Sequence, residues 1–232
     1  MRRICLPIAL FLFANPSSAE TEFSAELTAT TDYLFRGVSQ SMSAAALQGG
    51  VYIDNTSGWY LSAWGSSIDF VDSASPDDGA RFELDLVAGY RRAISDSVGL
   101  SLDVNAYLYP STRPGVDLDY LEWLTSIDVN ERHRFTVGFS NDVFNSGADG
   151  WYYFASTSFD LPRDLTLDVA AGLYDLDDAY DASYSHGEVG IAGAVSSVDW
   201  RLSYSMTSGD DTELFDASTV GSRTVLTLSR WF

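Results

Sequence analysis

From residue 20 onward, apolar and polar residues alternate with a period of two, in runs broken by clusters of Gly, Asp, Asn, Ser and Pro. Successive side chains of a strand point to opposite faces, so each run predicts a strand with one apolar and one polar face. In the first run Phe23, Ala25, Leu27, Ala29, Tyr33 and Phe35 oppose Ser24, Glu26, Thr28, Thr30, Asp32 and Arg36. Farther on, Val98, Leu100, Leu102, Val104, Ala106 and Leu108 oppose Ser101, Asp103, Asn105 and Tyr107. Read this way the chain is all-β, with twelve strands near 23–36, 46–54, 59–70, 80–92, 98–109, 118–129, 134–144, 151–161, 165–174, 184–195, 198–206 and 220–232. Ten or fourteen strands remain open as alternatives.

The connections fall into two kinds that alternate. Short turns lie at Asn55–Gly58, Ala93–Ser97, Asn130–His133, Pro162–Asp164 and Ser196–Ser197. Longer segments, most of them rich in Asp, Gly and Ser, lie near 37–45, 71–79, 110–117, 145–150, 175–183 and 207–219. Long loops at one end and short turns at the other are expected of a transmembrane antiparallel up-and-down β-barrel. Strands of about 9–11 residues suit a tilted membrane crossing. Aromatics gather at the ends of the apolar faces: Trp59, Tyr90, Phe135, Trp200 and Phe232 toward the turns, Tyr33, Phe35, Trp151, Tyr153 and Tyr204 toward the loops. Rings at both headgroup levels fit that pattern; the alternative is the core of a soluble β-protein.

The polar faces carry ions at Glu26, Arg36, Arg81, Glu83, Asp85, Arg91, Asp103, Glu122, Arg134, Asp142, Asp168, Glu188 and Arg201. Packed in a dry core, each would need a partner or cost several kcal/mol. A wet lumen removes most of that cost.

The two ends of the sequence add to this picture. Met1-Arg2-Arg3, the apolar stretch Ile4 to Phe13, and Ser17 and Ala19 predict a cleavable secretory signal over 1–19, with the mature chain starting at Glu20. The apolar stretch is about half the ~20 residues of a spanning helix. Without 1–19 the chain holds 33 acidic against 11 basic residues. That excess argues against nucleic acid as a partner and favours cations. The only cysteine, Cys5, falls in the signal, so neither disulfides nor thiol chemistry are expected afterwards. The final strand, Leu226-Thr227-Leu228-Ser229-Arg230-Trp231-Phe232, resembles the terminal signal that outer-membrane barrels offer to the barrel-assembly machinery, with Phe232 as its key residue. Arg230 departs from that pattern, and at a membrane rim it can snorkel to the interface.

The N-terminal quarter resembles a family described as outer-membrane porins, the TorF-type or Gcw_chp proteins. The resemblance rests on Asp32-Tyr33-Leu34-Phe35-Arg36-Gly37, Ser39-Gln40-Ser41, Gln48-Gly49-Gly50, Gly58-Trp59-Tyr60, Ala63-Trp64-Gly65-Ser66, and Glu83-Leu84-Asp85 leading to Gly89-Tyr90. Beyond about residue 92 only the pattern continues. The resemblance implies a barrel in a bacterial outer membrane and a channel, with no particular substrate.

Candidate pore-lining residues are Arg36, Arg81, Glu83, Asp85, Arg91, Asp103, Glu122, Arg134, Asp168, Glu188 and Arg201. Arg36 either stands at a constriction and selects solutes, or pairs with a neighbouring carboxylate across strands; the second, structural role is preferred. Acidic groups at Asp69, Asp72, Asp77 and Asp78, at Asp175, Asp177, Asp178 and Asp181, and at Asp210, Asp211, Glu213 and Asp216 lack the spacing of a calcium loop. Solvated loops are the simpler reading, with Ca²⁺, Mg²⁺ or lipid binding the alternative. After the signal only His133 and His186 remain as histidines, the first placed in a short turn. A hydrolase built on His186 with Ser183, Ser185 and Glu188 lacks a supporting spacing. The expectation is a small channel for passive diffusion of small solutes, biased to cations, without cofactor or metal. A closed binding barrel is the alternative, and an outer-membrane hydrolase comes third.

Overall fold

The structure is a computed structural model that describes residues 20–70 and 78–232. The expected signal segment and Asp72 and Asp77 lie outside the described residues. Twelve long strands close into an antiparallel barrel. They are β1 (Thr21–Thr30), β4 (Ala46–Asn55), β5 (Trp59–Ser67), β6 (Phe82–Ser95), β7 (Val98–Leu108), β8 (Tyr120–Val129), β9 (His133–Ser140), β10 (Gly150–Leu161), β11 (Leu165–Asp175), β12 (Ser183–Val195), β13 (Val198–Gly209) and β14 (Arg223–Trp231). Each pairs with its neighbour in sequence, and β1 closes the ring by pairing with both β4 and β14. A small hairpin, β2 (Leu34–Phe35) and β3 (Val38–Ser39), lies within the first long loop. Two one-turn helices, α1 (Asp177–Tyr180) and α2 (Asp211–Leu214), sit in the last two loops.

The outer surface is the apolar face of the alternation. Phe23, Leu47, Val51, Leu61, Leu102, Leu121, Phe135, Val169, Val189 and Leu228 all stand exposed on it, with Phe23 74 % accessible. A continuous apolar belt around a closed sheet is unstable in water and at home in hydrocarbon, where closure also satisfies every backbone group. Among the described residues no helix is long and apolar enough to cross a membrane. Trp59, Phe135 and Phe232 are exposed toward the turn end, and Trp151, Tyr153 and Tyr204 toward the loop end, as the girdles require.

The first strand ends earlier than its alternation predicts. The chain pairs with β14 through Thr31, whose N–H donates to Leu226, and then leaves the wall. Tyr33 and Phe35 therefore do not join the outer girdle. Tyr33 packs edge-on against Trp64 and Phe35 against Tyr107, both inside the barrel. Strand β9 is also shorter than the expected 134–144. It stops at Ser140, and Asp142 instead receives the Gly147 N–H in a loop carrying a 3₁₀ turn at Val143–Asn145.

Candidate functional site

The first long loop folds into the barrel and closes its loop-side half. The hairpin β2–β3 turns on Arg36 and Gly37, both at positive φ (51° and 84°), as a two-residue primed turn demands. A side chain at Gly37 would place its Cβ 2.7 Å from the His186 Cβ, so the turn needs glycine for space as well as conformation. Its root is tied at several points. Ser39 and Ser41 donate to Asp32 at 2.6 and 3.0 Å, Arg223 stands 3.3 Å from the same carboxylate, and the Ser39 N–H reaches the Thr219 carbonyl in the sixth loop.

At the hairpin tip, Arg36 crosses the interior to Glu122 on β8, at 2.5 Å. The side chains are 6 % and 1 % exposed, so this is a dry ion pair. Tyr107 donates to the same Glu122 oxygen at 3.1 Å. The guanidinium lies over the rings of Tyr152 and Tyr174 at 3.7 and 4.3 Å, stacking that suits a weakly hydrated cation. Arg36 thus pairs with a carboxylate, one that lies across the lumen and not on an adjacent strand. Around the pair, Phe35 and Phe144 join two apolar clusters, one centred on Tyr174 and Tyr184, the other on Tyr109 and Tyr120.

The remaining interior charges sort by height. Near the loops, Glu83 is fully buried and accepts from the Tyr109 hydroxyl at 3.3 Å, with Asp85 two residues further along β6. Lower down, Arg91 pairs with Asp54 and lies over Tyr60, whose hydroxyl donates to Asp103. Tyr52 donates to Glu26 at 2.7 Å, and Arg134 binds Asp128 through two nitrogens at 2.7 and 3.0 Å. Arg201 donates to Glu188 at 2.6 Å and stands 3.7 Å from Asp168. Arg81 is the exception. It precedes β6, is half exposed beside Asp69, and stands at the loop-side rim instead of the lumen wall.

Below the plug, between the walls of β9 to β13, a cavity of about 310 Å³ remains. It reaches from Arg36 and His186 down to Arg132 beside the turn at 130–132. His186 stacks against Tyr152, and its Nε2 pairs with the Tyr152 hydroxyl at 2.9 Å. His133, expected in a turn, begins β9 and pairs with Thr157. Neither Ser183 nor Ser185 meets His186 as a nucleophile would. Ser183 donates to Asp177 at 2.8 Å, and Ser185, one residue from His186 and so on the opposite face, shares its hydroxyl with Ser208. Among the described residues no group of three His, Cys, Asp or Glu is placed to hold a metal ion. Tyr152 and Tyr174, which sequence reasoning passed over, are the chief partners of Arg36. Their inward parity on β10 and β11 is the signal that marks them.

A closed antiparallel barrel with an apolar girdled exterior and a charged, partly hollow interior is a membrane-spanning β-barrel. The chain belongs to the Gcw_chp family, described as bacterial proteins of unknown function, whose model matches residues 14–230. The segments behind the TorF-type or Gcw_chp resemblance include the inward hairpin and the wall around it, with Tyr33 on Trp64 and Gln48 donating to Ser66. No curated protein matches the sequence. Among solved structures, one from a study of the in-meso crystallization of membrane proteins is similar in fold, with a TM-score of 0.54 and 12 % identity over 90 % of this chain and 83 % of that one. Acinetobacter baumannii OccAB3 gives 0.44 at 13 % identity, over 92 % of this chain and 64 % of its own. Pseudomonas aeruginosa OccD3 (OpdP) gives 0.44 at 12 % identity, over 92 % and 65 %.

Proposed function

We propose that this protein is a bacterial outer-membrane channel for passive passage of small solutes, gated by its first long loop. One observation carries the reading. A hairpin from the loop end packs into the interior, while the wall below it leaves a cavity that carries Arg134, Asp168, Glu188 and Arg201 and reaches Arg132 beside the turns. A barrel meant only as an anchor gains nothing from a charged cavity behind an inward-folded loop.

A preference for cations follows from the charge that faces the lumen. Arg36, Arg91, Arg134 and Arg201 are each held by a carboxylate. Glu26, Glu83 and Asp103 instead accept from tyrosine hydroxyls and add carboxylates to the lumen face. Rings of one sign set selectivity in narrow pores. The close aromatic packing above the cavity favours, as a second reading, a barrel that stays shut and serves as a binding surface.

Single-channel recording of the purified barrel across a salt gradient tests the proposal. Unitary steps with a reversal potential displaced toward the cation equilibrium are expected. Folded protein, verified by heat-modifiable gel migration, that yields no steps at any voltage overturns the channel reading in favour of the closed barrel.

A further inference from the structure

We infer that the cavity below the plug is a binding site for a small organic ammonium ion, seated on Asp168 with Glu188 beside it. This names a solute class for the proposed channel, and relies on that channel for transport but not for binding.

The site exists because the wall is thin there. Inward positions on β10 and β11 carry Ser156, Ser158 and Ala170, so the barrel is not filled from that side. The resulting volume far exceeds the ~10–15 Å³ that one water needs by the same measure. It has room for an amine with a short alkyl chain.

Charge is matched everywhere in the cavity except at one point. Arg36, Arg132 and Arg134 each have a carboxylate of their own, Glu122, Asp160 and Asp128, at 2.5, 2.6 and 2.7 Å. Arg201 faces two. Its Nη2 donates to Glu188 at 2.6 Å, and its Nε lies 3.7 Å from Asp168, beyond hydrogen-bonding distance. The Asp168 side chain is only 9 % exposed, and neither of its oxygens accepts a hydrogen bond from the protein. A buried carboxylate without donors is a costly arrangement unless something supplies both charge and N–H groups. An ammonium group supplies both. Ser158 stands opposite Asp168 in the strand pairing and offers a hydroxyl acceptor for another N–H. The rings of Phe154 and His186, stacked 6.3 Å apart on the cavity wall, give an alkyl chain an apolar surface.

The test is binding of n-butylammonium chloride to the detergent-solubilised barrel, followed by saturation-transfer NMR, with n-butanol and butyrate as neutral and anionic probes. The wild-type barrel is expected to bind the ammonium and neither of the others. Asp168→Asn should weaken binding at least tenfold. Arg201→Gln, which leaves two acids without their cation, should tighten it several-fold. Glu188→Gln frees Arg201 to turn to Asp168 and should weaken binding, providing a check should the Arg201 variant not fold. Equal binding of n-butylammonium and n-butanol, or no change in Asp168→Asn, overturns the site. So does weakening in Arg201→Gln, because a purely structural cluster would lose affinity with either change. Conductance recorded separately distinguishes the two readings: binding without conductance removes the channel and leaves the site, and conductance without binding removes the site alone.

Discussion

Replacing Arg36 with Ala tests whether the first loop is the gate. The change deletes the dry bond to Glu122 and leaves that carboxylate, 1 % exposed, without its cation. Breaking a buried pair from one side costs about 3–5 kcal/mol. The contacts with Tyr152 and Tyr174 go as well, worth ~2 kcal/mol when desolvated, though the two losses do not simply add. Taking only ~3 kcal/mol, at 1.4 kcal/mol per decade, the balance between plugged and released hairpin moves about a hundredfold. The released state should gain further, because water entering the lumen solvates Glu122. Single-channel recording should therefore show a large rise in the open fraction for Arg36→Ala. The double change Arg36→Met with Glu122→Gln removes both charges and keeps much of the volume, so it should return most of the closed time. If all three proteins have the same open fraction while thermal unfolding still shows the Arg36 variant to be weaker, the pair holds the barrel together and the hairpin is not a gate.

Other changes probe other links. Leu102→Arg places a charge on the outer belt and should cost about 2–4 kcal/mol of folding free energy in lipid vesicles if the position lies near the bilayer midplane; unchanged stability there sinks the lipid-facing assignment. Gly37→Val meets a left-handed turn, a cost of ~1–2 kcal/mol before its clash with His186 and Thr207, and should open the channel as Arg36→Ala does. A Gly37→Val channel that stays shut would show that the hairpin tip is not seated where the structure puts it. Arg223→Met cuts the tie to Asp32 and should loosen the hairpin root by about 1–3 kcal/mol, read as faster proteolysis within residues 31–45. Protease resistance equal to wild type would assign the root to its serine bonds alone.

The wall strands are legible because lipid on one side and a wet lumen on the other impose alternation residue by residue. Turn length shows the topology for a similar reason, since a short turn leaves no freedom in which strand pairs with which. The plug is a different matter. Tyr33-Leu34-Phe35-Arg36 continue the alternation of β1 after the chain has left the wall, since a small hairpin alternates as a long strand does. Only Arg36-Gly37, between two β-forming pairs, marks the reversal locally. That Arg36 meets Glu122 depends on the closure of the barrel, which brings residues far apart in sequence face to face. Glu83, Asp103, Glu122, Asp168 and Arg201 are placed inside by parity alone, and Arg81 shares that parity but lies beyond the strand end. The cavity depends on what is missing, namely side-chain volume at Ser156, Ser158 and Ala170, and small residues read along a chain do not announce which of them will adjoin.

The plug fills one end of the lumen and the cavity occupies the other, so the two compartments do not see the same molecule. On the proposed reading, a solute arriving from the turn side meets a charged vestibule first and binds before it reaches the hairpin. One arriving from the loop side meets packed aromatic rings and has no such antechamber. An ammonium compound should thus impede current from one face and not from the other, making the barrel a rectifier whose polarity is set by which end of the wall was left thin.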